Sequence, residues 1–303
     1  MFIRDIFSKK NPVISFEVFP PKREFPIDVV YDTVEELRDL DPDFISVTYG
    51  AGGSSKDRTI EIASEIKNKY GIETLAHLTC YTSTRGETEF ILKELKRNNV
   101  DNVLALRGDP PIGGFNGKSD YKYAKDLVSH IKAFDDFSIG VAAYPEGHIE
   151  CDSLDKDIEY LKEKMCCGAD FMITQLFFDN EKLYMYMDRL AKKGIDAPIM
   201  AGIMPVLNKN QIQKMVSLSG ASLPRKFIRI LEKYEHKPKA LRKAGIAYAT
   251  EQIIDLLSWG VDGIHLYTMN KPKVASEIMK NLSEVRDAVT EEKYMELDDK
   301  GAY

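Results

Sequence analysis

Glu17 interrupts the apolar run 13–18, where a carboxylate is uncommon unless it is put to use. Other short apolar runs deliver polar groups at or just past their ends in the same way. Thr48 follows Val47, His77 sits in Ala76-His77-Leu78-Thr79, and Arg107, Gly108 and Asp109 follow Leu106. Tyr144 follows Ala143, with Glu146 and His148 behind it, and Gln175 follows Thr174. Near the C-terminal end, Leu266 is followed by Tyr267 and, beyond it, Asn270 and Lys271. Carboxylates, imidazoles, a guanidinium, hydroxyls and amides brought to one place can donate, accept and move protons, but such a set holds few strong nucleophiles.

Each residue also has a plainer reading. Glu17 could pair with Arg107 as a structural ion pair, and His77 could be a hydrogen-bonded core residue. Asp109 precedes Pro110-Pro111 and reads equally as a turn residue, and His148 as a solvated loop residue. A Schiff-base mechanism needs a lysine inside the site; none of the apolar runs ends in one, and Lys271 lies beyond the last. A metal site could recruit Glu17, His77, Asp109 and His148, but no HxH or HxxxH spacing supports it, so no metal is expected. The stretch Gly50-Ala51-Gly52-Gly53-Ser54-Ser55 fails the GxGxxG pattern, because Ser55 stands where the last glycine belongs and the second strand, not the first, precedes it. What remains suits a polar, planar cofactor that carries the chemistry itself.

The elements that must position these residues alternate along the chain. Strand-like runs fall at 13–18, 44–49, 74–79, 102–106, 138–143, 171–174, 198–203 and 263–267, each apolar enough to be buried on both faces. Amphipathic, helix-like stretches fall between them at 29–40, 57–70, 87–98, 121–134, 154–167 and 181–193, with a long helix at 237–259 and another at 273–281. Eight strand–helix repeats predict an α/β fold of the (β/α)8 TIM barrel type, with extra helices between strands seven and eight in 208–234, the second started by Pro224. The competing architecture is an open, doubly wound sheet. No linker or shift in composition splits residues 1–303, which read as a single catalytic domain, and the polar tail 291–303 reads as frayed at its end.

Composition narrows the partners. The chain has 303 residues, 44% hydrophobic and 30% charged, with a net charge of −6 and both signs interspersed, which argues against nucleic acid as a partner. Four cysteines form no CxxC pair, the first ten residues carry no signal-type apolar run, and no stretch approaches the ~20 apolar residues of a membrane helix. A cytoplasmic protein with reduced thiols and no membrane contact is expected.

The run Ser15-Phe16-Glu17-Val18-Phe19-Pro20-Pro21-Lys22 resembles the N-terminal signature of the methylenetetrahydrofolate reductase family. The resemblance continues in order through Val47-Thr48-Tyr49-Gly50-Ala51, Ala76-His77-Leu78-Thr79-Cys80 and Leu104-Ala105-Leu106-Arg107-Gly108-Asp109. It then runs through Val141-Ala142-Ala143-Tyr144-Pro145-Glu146, Ile173-Thr174-Gln175-Leu176-Phe177-Phe178-Asp179, Gly202-Ile203-Met204-Pro205 and Leu266-Tyr267-Thr268-Met269-Asn270. Any one match is weak; all eight together are specific.

The resemblance implies a flavin-bearing (β/α)8 barrel that reduces 5,10-methylenetetrahydrofolate to 5-methyltetrahydrofolate. NADH or NADPH would be the electron donor, with a ping-pong hydride transfer through flavin N5. It assigns Glu17 as the general acid at folate N10, a role that needs a carboxyl able to hold a proton near neutrality. It assigns Asp109 as the carboxylate near flavin and pterin that steadies the iminium cation. It also implies cofactor contacts at Thr48, His77, Arg107, Gly108, Asp109, Tyr144, His148, Asp157 and Lys164. The last two lie seven apart on one helix face, and their match favours FAD over FMN. Substrate contacts are implied at Glu17, Gln175, Gln211, Tyr267 and Lys271. Two positions depart from the family pattern: Lys271 replaces an arginine, giving a point charge without a bidentate fork, and Met215 stands where relatives place a stacking aromatic. The resemblance further implies a homo-oligomer, a donor protein in place of NAD(P)H in some relatives, and no S-adenosylmethionine-binding regulatory domain. A non-catalytic folate- or nucleotide-binding barrel subunit and a metal-dependent aldolase or lyase barrel are the alternatives.

Overall fold

Strands that read as continuous apolar runs are buried on both faces, and the computed structural model, which describes residues 1–22, 24–49, 56–110, 114 and 117–300, shows how. Strands β1 (Val13–Val18), β2 (Phe44–Val47), β3 (Glu73–Thr79), β4 (Asn102–Leu106), β5 (Ser138–Ala143), β6 (Phe171–Thr174), β7 (Ile199–Ile203) and β8 (Gly263–Tyr267) pair in sequence order, all parallel. β8 returns to β1, with Ser15 opposite His265 and Glu17 opposite Tyr267, so the sheet is a closed barrel and the open-sheet alternative is excluded.

Helices α2 (Asp28–Arg38), α3 (Lys56–Asn68), α4 (Arg85–Arg97), α5 (Ala124–Phe134), α6 (Leu154–Cys166), α7 (Asn180–Lys192), α10 (Pro238–Trp259) and α11 (Pro272–Lys300) alternate with the strands. Their ends carry local signals. Thr84 and Glu87 form a reciprocal capping box before α4. Ser153 accepts from the Lys156 N–H at the start of α6. α10 opens on a proline and ends at Gly260, whose φ of 92° suits a residue without a Cβ. The insertion after β7 resolves into α8 (Lys209–Ser219) and α9 (Arg225–Tyr234), with Pro224 as the N-cap of the second.

Two apolar layers result. Ile14, Phe16 and Val18 face outward with Val34, Leu37 and their neighbours on the helices. Val13, Phe44, Leu75, Leu104, Phe171 and Met200 fill the barrel interior, joined at one end by α1 (Ile3–Ile6), whose Ile3 and Ile6 are buried there. The Ile3 N–H donates to Asn102 Oδ1 at 2.7 Å, fixing this plug to β4. Sequence reading missed α1, because one helical turn shows no periodicity. It also set several boundaries differently. β2 ends at Val47 rather than at 49, β7 starts at Ile199 because Pro198 has no N–H to give the ladder, and α5 starts at Ala124 rather than at 121. α11 continues to Lys300, well past 281 and through most of the stretch read as a polar tail; residues 301–303 lie outside the described residues.

Gly245 marks a close approach. A Cβ there would lie 1.8 Å from the Val206 carbonyl oxygen, which ties α10 to the segment after β7. Alanine is the better helix former by ~1 kcal/mol, but overpacking of this kind costs about 1–3 kcal/mol. Gly245→Ala is therefore expected to lower the urea midpoint; an unchanged or raised midpoint would show that α10 can shift away.

Candidate active site

The alternation that sends Ile14, Phe16 and Val18 to the outer layer sends Ser15 and Glu17 into the barrel. Glu17 Oε2 lies 3.7 Å from His77 Nε2 and 3.8 Å from His265 Nε2, so the carboxylate sits between two imidazoles. His265 is 1% exposed, and its Nδ1 is 2.7 Å from Ser15 Oγ, while its Nε2 is 3.5 Å from Ser46 Oγ. Burial pulls His77 down to about 4, Glu17 opposing and His265 assisting, so its ring is neutral near neutral pH and the contact with Glu17 is no salt bridge. His77 Nε2 has no hydrogen-bond partner, an unspent polar atom beside the carboxylate.

The neighbouring strand ends are pinned around this group. Thr268 Oγ1 donates to the Glu17 carbonyl at 2.6 Å, and the Asn270 side chain bonds both the N–H and the carbonyl of Phe19. Met269 and Asn270 hold φ values of 54° and 49°, a strained stretch that this cross-bracing maintains. The Tyr267 hydroxyl donates to the Thr174 carbonyl at 2.7 Å, and burial raises its pKa well above the usual tyrosine value. Gly202 makes room for that ring, since a Cβ there would lie 2.8 Å from it and 2.3 Å from the Thr174 carbonyl oxygen.

A second region opens beside the barrel mouth. A cavity of about 390 Å³ between the ends of β4 and β5 and helices α5 and α6 is lined by Arg107, Tyr144, His148, Asp157 and Lys164. Lys164 Nζ donates to the Ala142 carbonyl at 2.6 Å; desolvation brings its pKa down to about 8 against the pull of Asp157. Burial raises the Asp157 carboxyl, opposed by Lys164 and His148, and lifts Tyr144 to about 12. The Tyr144 and His148 rings meet edge to face at 4.8 Å. Arg107 Nη1 bonds Glu150 Oε2 at 2.5 Å, a hydrogen bond that raises the guanidinium pKa and lowers that of the carboxyl.

The expected residues thus divide into two groups and a rim. Glu17, His77 and Tyr267 meet inside the barrel, and Arg107, Tyr144, His148, Asp157 and Lys164 line the lateral cavity. Thr48 bonds through its N–H to the Val18 carbonyl, and Gly108 holds a φ of 81° where a Cβ would lie 2.9 Å from Thr79 Cβ. Asp109 and Lys271 are exposed. Gln175 Oε1 accepts from the Leu176 N–H, while Gln211 Oε1 accepts from the Leu207 N–H and its Nε2 is buried without a partner. Met215 packs partly buried on the α8–α9 cluster. The suggested Glu17–Arg107 pair is corrected: Arg107 turns to Glu150. Residues 50–55 lie outside the described residues. Among the described residues, no three His, Cys, Asp or Glu side chains are placed to hold a metal ion. Sequence reading missed Ser15, Ser46, Glu150 and above all His265. The last had a readable signal, since it stands two residues before Tyr267 on the same strand face.

Residues 2–283 match the family model described as methylenetetrahydrofolate reductase. The chain belongs to this family. It is 36% identical over 294 residues to methylenetetrahydrofolate reductase (NADH) 1 of Arabidopsis thaliana, covering 92% of this chain and 50% of that protein. It is 37% identical over 269 residues to the 5,10-methylenetetrahydrofolate reductase of Pectobacterium carotovorum subsp. carotovorum, covering 89% of each, and 36% identical over 269 residues to that of Escherichia coli (strain K12). The chain therefore spans about half the length of the plant relatives and most of the bacterial ones. A Clostridium thermocellum protein, solved with two copies of 5-methyl-5,6,7,8-tetrahydrofolic acid, shares the fold at a TM-score of 0.68 and 14% identity, covering 95% of this chain and 100% of that one. No helix among the described residues is long and apolar enough to cross a membrane.

The burial of Lys164 can be tested by stability alone. Its folded pKa of about 8 lies below the ordinary 10.5, so the unfolded chain binds the proton more readily in that window and stability rises with pH across it. Lys164→Met is expected to raise stability below pH 8 and to flatten this rise. Thermal melts at stepped pH check it, and a variant no more stable than wild type at neutral pH would contradict it.

Proposed function

We propose that this chain reduces 5,10-methylenetetrahydrofolate to 5-methyltetrahydrofolate, with FAD as bound cofactor and NADH or NADPH as donor, in a ping-pong cycle. The observation that carries this reading is the Glu17 carboxyl held inside the barrel mouth against neutral His77, with a cavity nearby whose wall carries Arg107 and Lys164. The residues fit the cofactor. Arg107 and Lys164 would supply charge for a diphosphate, Asp157 an acceptor for sugar hydroxyls, and His77 a ring nitrogen that has no partner in the protein. Thr48, Gly108, Asp109, Tyr144 and His148 would complete the contacts. Bound there, FAD supplies the two-electron chemistry that no side chain of this site carries.

The chain's own residues do the rest. Glu17 delivers a proton to folate N10, which opens the imidazolidine ring and leaves a cationic iminium carbon. Asp109, exposed just past β4, offers that cation a carboxylate. Gln175 and Gln211 each have an amide oxygen held by a backbone N–H, leaving the NH2 group to donate to the pterin. Tyr267, its hydroxyl engaged, serves as a wall, and Lys271 at the rim meets the acidic tail of folate. The two substrates take turns against one cofactor face.

Purified protein reconstituted with FAD should show an absorption band near ~450 nm, and a colourless protein after reconstitution would contradict the proposal. Glu17→Gln should keep the flavin and its reduction by donor. Its folate half-reaction should fall by about 10²–10⁴, the range for loss of a positioned acid. Stopped-flow measurement of the two half-reactions separates them; equal rates in both variants would remove Glu17 from the role.

A further inference from the structure

The lateral cavity is rich in charge yet nearly balanced. Three cations on its wall are already paired with carboxylates of the same wall: Arg107 with Glu150 at 2.5 Å, Lys125 with Glu163 at 2.7 Å and Lys156 with Asp152 at 2.8 Å. Lys164 instead donates a hydrogen bond to the Ala142 carbonyl, with Asp157 on the same helix. An anionic ligand therefore enters a site whose positive charge is largely spoken for.

The three pairs are not equivalent. Lys125–Glu163 and Lys156–Asp152 join long side chains that are 38–47% and 46–83% exposed, where water screens the attraction and either partner can swing away. Arg107 is 26% exposed and rooted at the end of β4, so its guanidinium has less freedom. Glu150 is 51% exposed, and its backbone N–H donates to His148 Nδ1 at 3.1 Å. The Arg107–Glu150 contact is thus a charge-assisted bond from a mostly buried guanidinium to a half-exposed carboxylate that can leave it. It uses the guanidinium that a phosphate in this cavity would need.

Building on the flavin reading above, we infer that Glu150 is an affinity-limiting residue for the anionic cofactor, an internal competitor for Arg107. Its carboxylate holds Arg107 where a ligand phosphate would otherwise bind, so an incoming phosphate must displace it. Glu150 lowers the affinity of the cavity for anions in general and keeps Arg107 oriented while the cavity is open.

Titration of wild type, Glu150→Gln and Asp155→Asn with FAD and with ADP, followed by flavin fluorescence and calorimetry, tests this. Glu150→Gln should bind both ligands about fivefold tighter, the factor equivalent to ~1 kcal/mol for a partly exposed ion pair. Asp155 of α6 does not line the cavity, pairs with Arg189 of α7 and is 71% exposed, so Asp155→Asn removes one negative charge without touching the cavity and should change neither affinity. Misfolding weakens binding, so a gain cannot come from damage. Unchanged or weaker binding by Glu150→Gln, or an equal gain in Asp155→Asn, overturns the role of Glu150 alone. A wild-type protein that takes up neither FAD nor ADP overturns the flavin reading beneath it as well.

Discussion

The pairing of β1 with β8 is the constraint on which the site depends. It sets Ser15 beside His265 and Glu17 beside Tyr267, and closing the sheet encloses all four. Strand side chains alternate with period two, so a slip of one residue would turn Glu17 to the helices and Phe16 into the mouth. The register is held by the outer layer, where Ile14, Phe16 and Val18 are each 2% exposed or less, and by Thr268 and Asn270, which bond the backbone at Glu17 and Phe19. The geometry around Glu17 is thus a by-product of the packing that makes the barrel.

Electrostatics divide the site into two environments. Inside the barrel, His77 is kept neutral by burial, and His265 has a serine hydroxyl as partner on one ring nitrogen. Glu17 then stands 3.7 Å from the neutral His77 ring and 3.8 Å from that of His265. In the lateral cavity, charge is abundant but paired, and Lys164 carries the cost of desolvation for a position that a phosphate would relieve. The first environment suits proton transfer to a bound substrate, and the second suits retention of a polyanion.

How much of this the sequence made legible follows from the range of each interaction. β1, β4, β5, β6 and β8 are bounded as their apolar runs suggest, because a strand buried on both faces writes its whole length in residue type. Glu17, Arg107 and Tyr267 were visible as polar exceptions to those runs. The partners were not: Glu17 meets His265 across 248 residues and Arg107 meets Glu150 across 43, and such pairings depend on strand register and loop path. Helix ends failed where propensity outlasts amphipathic pattern, as in α11, whose polar final turns stay helical to Lys300. The plug α1 was too short for any period to show.

One rim serving two substrates in turn is the central claim, and a single-turnover experiment addresses it directly. Protein reduced anaerobically by NAD(P)H, freed of nucleotide by gel filtration and then mixed with 5,10-methylenetetrahydrofolate, should form 5-methyltetrahydrofolate in an amount matching its flavin content with no donor present. Product that appears only when donor is added back, or none at all, would contradict the account.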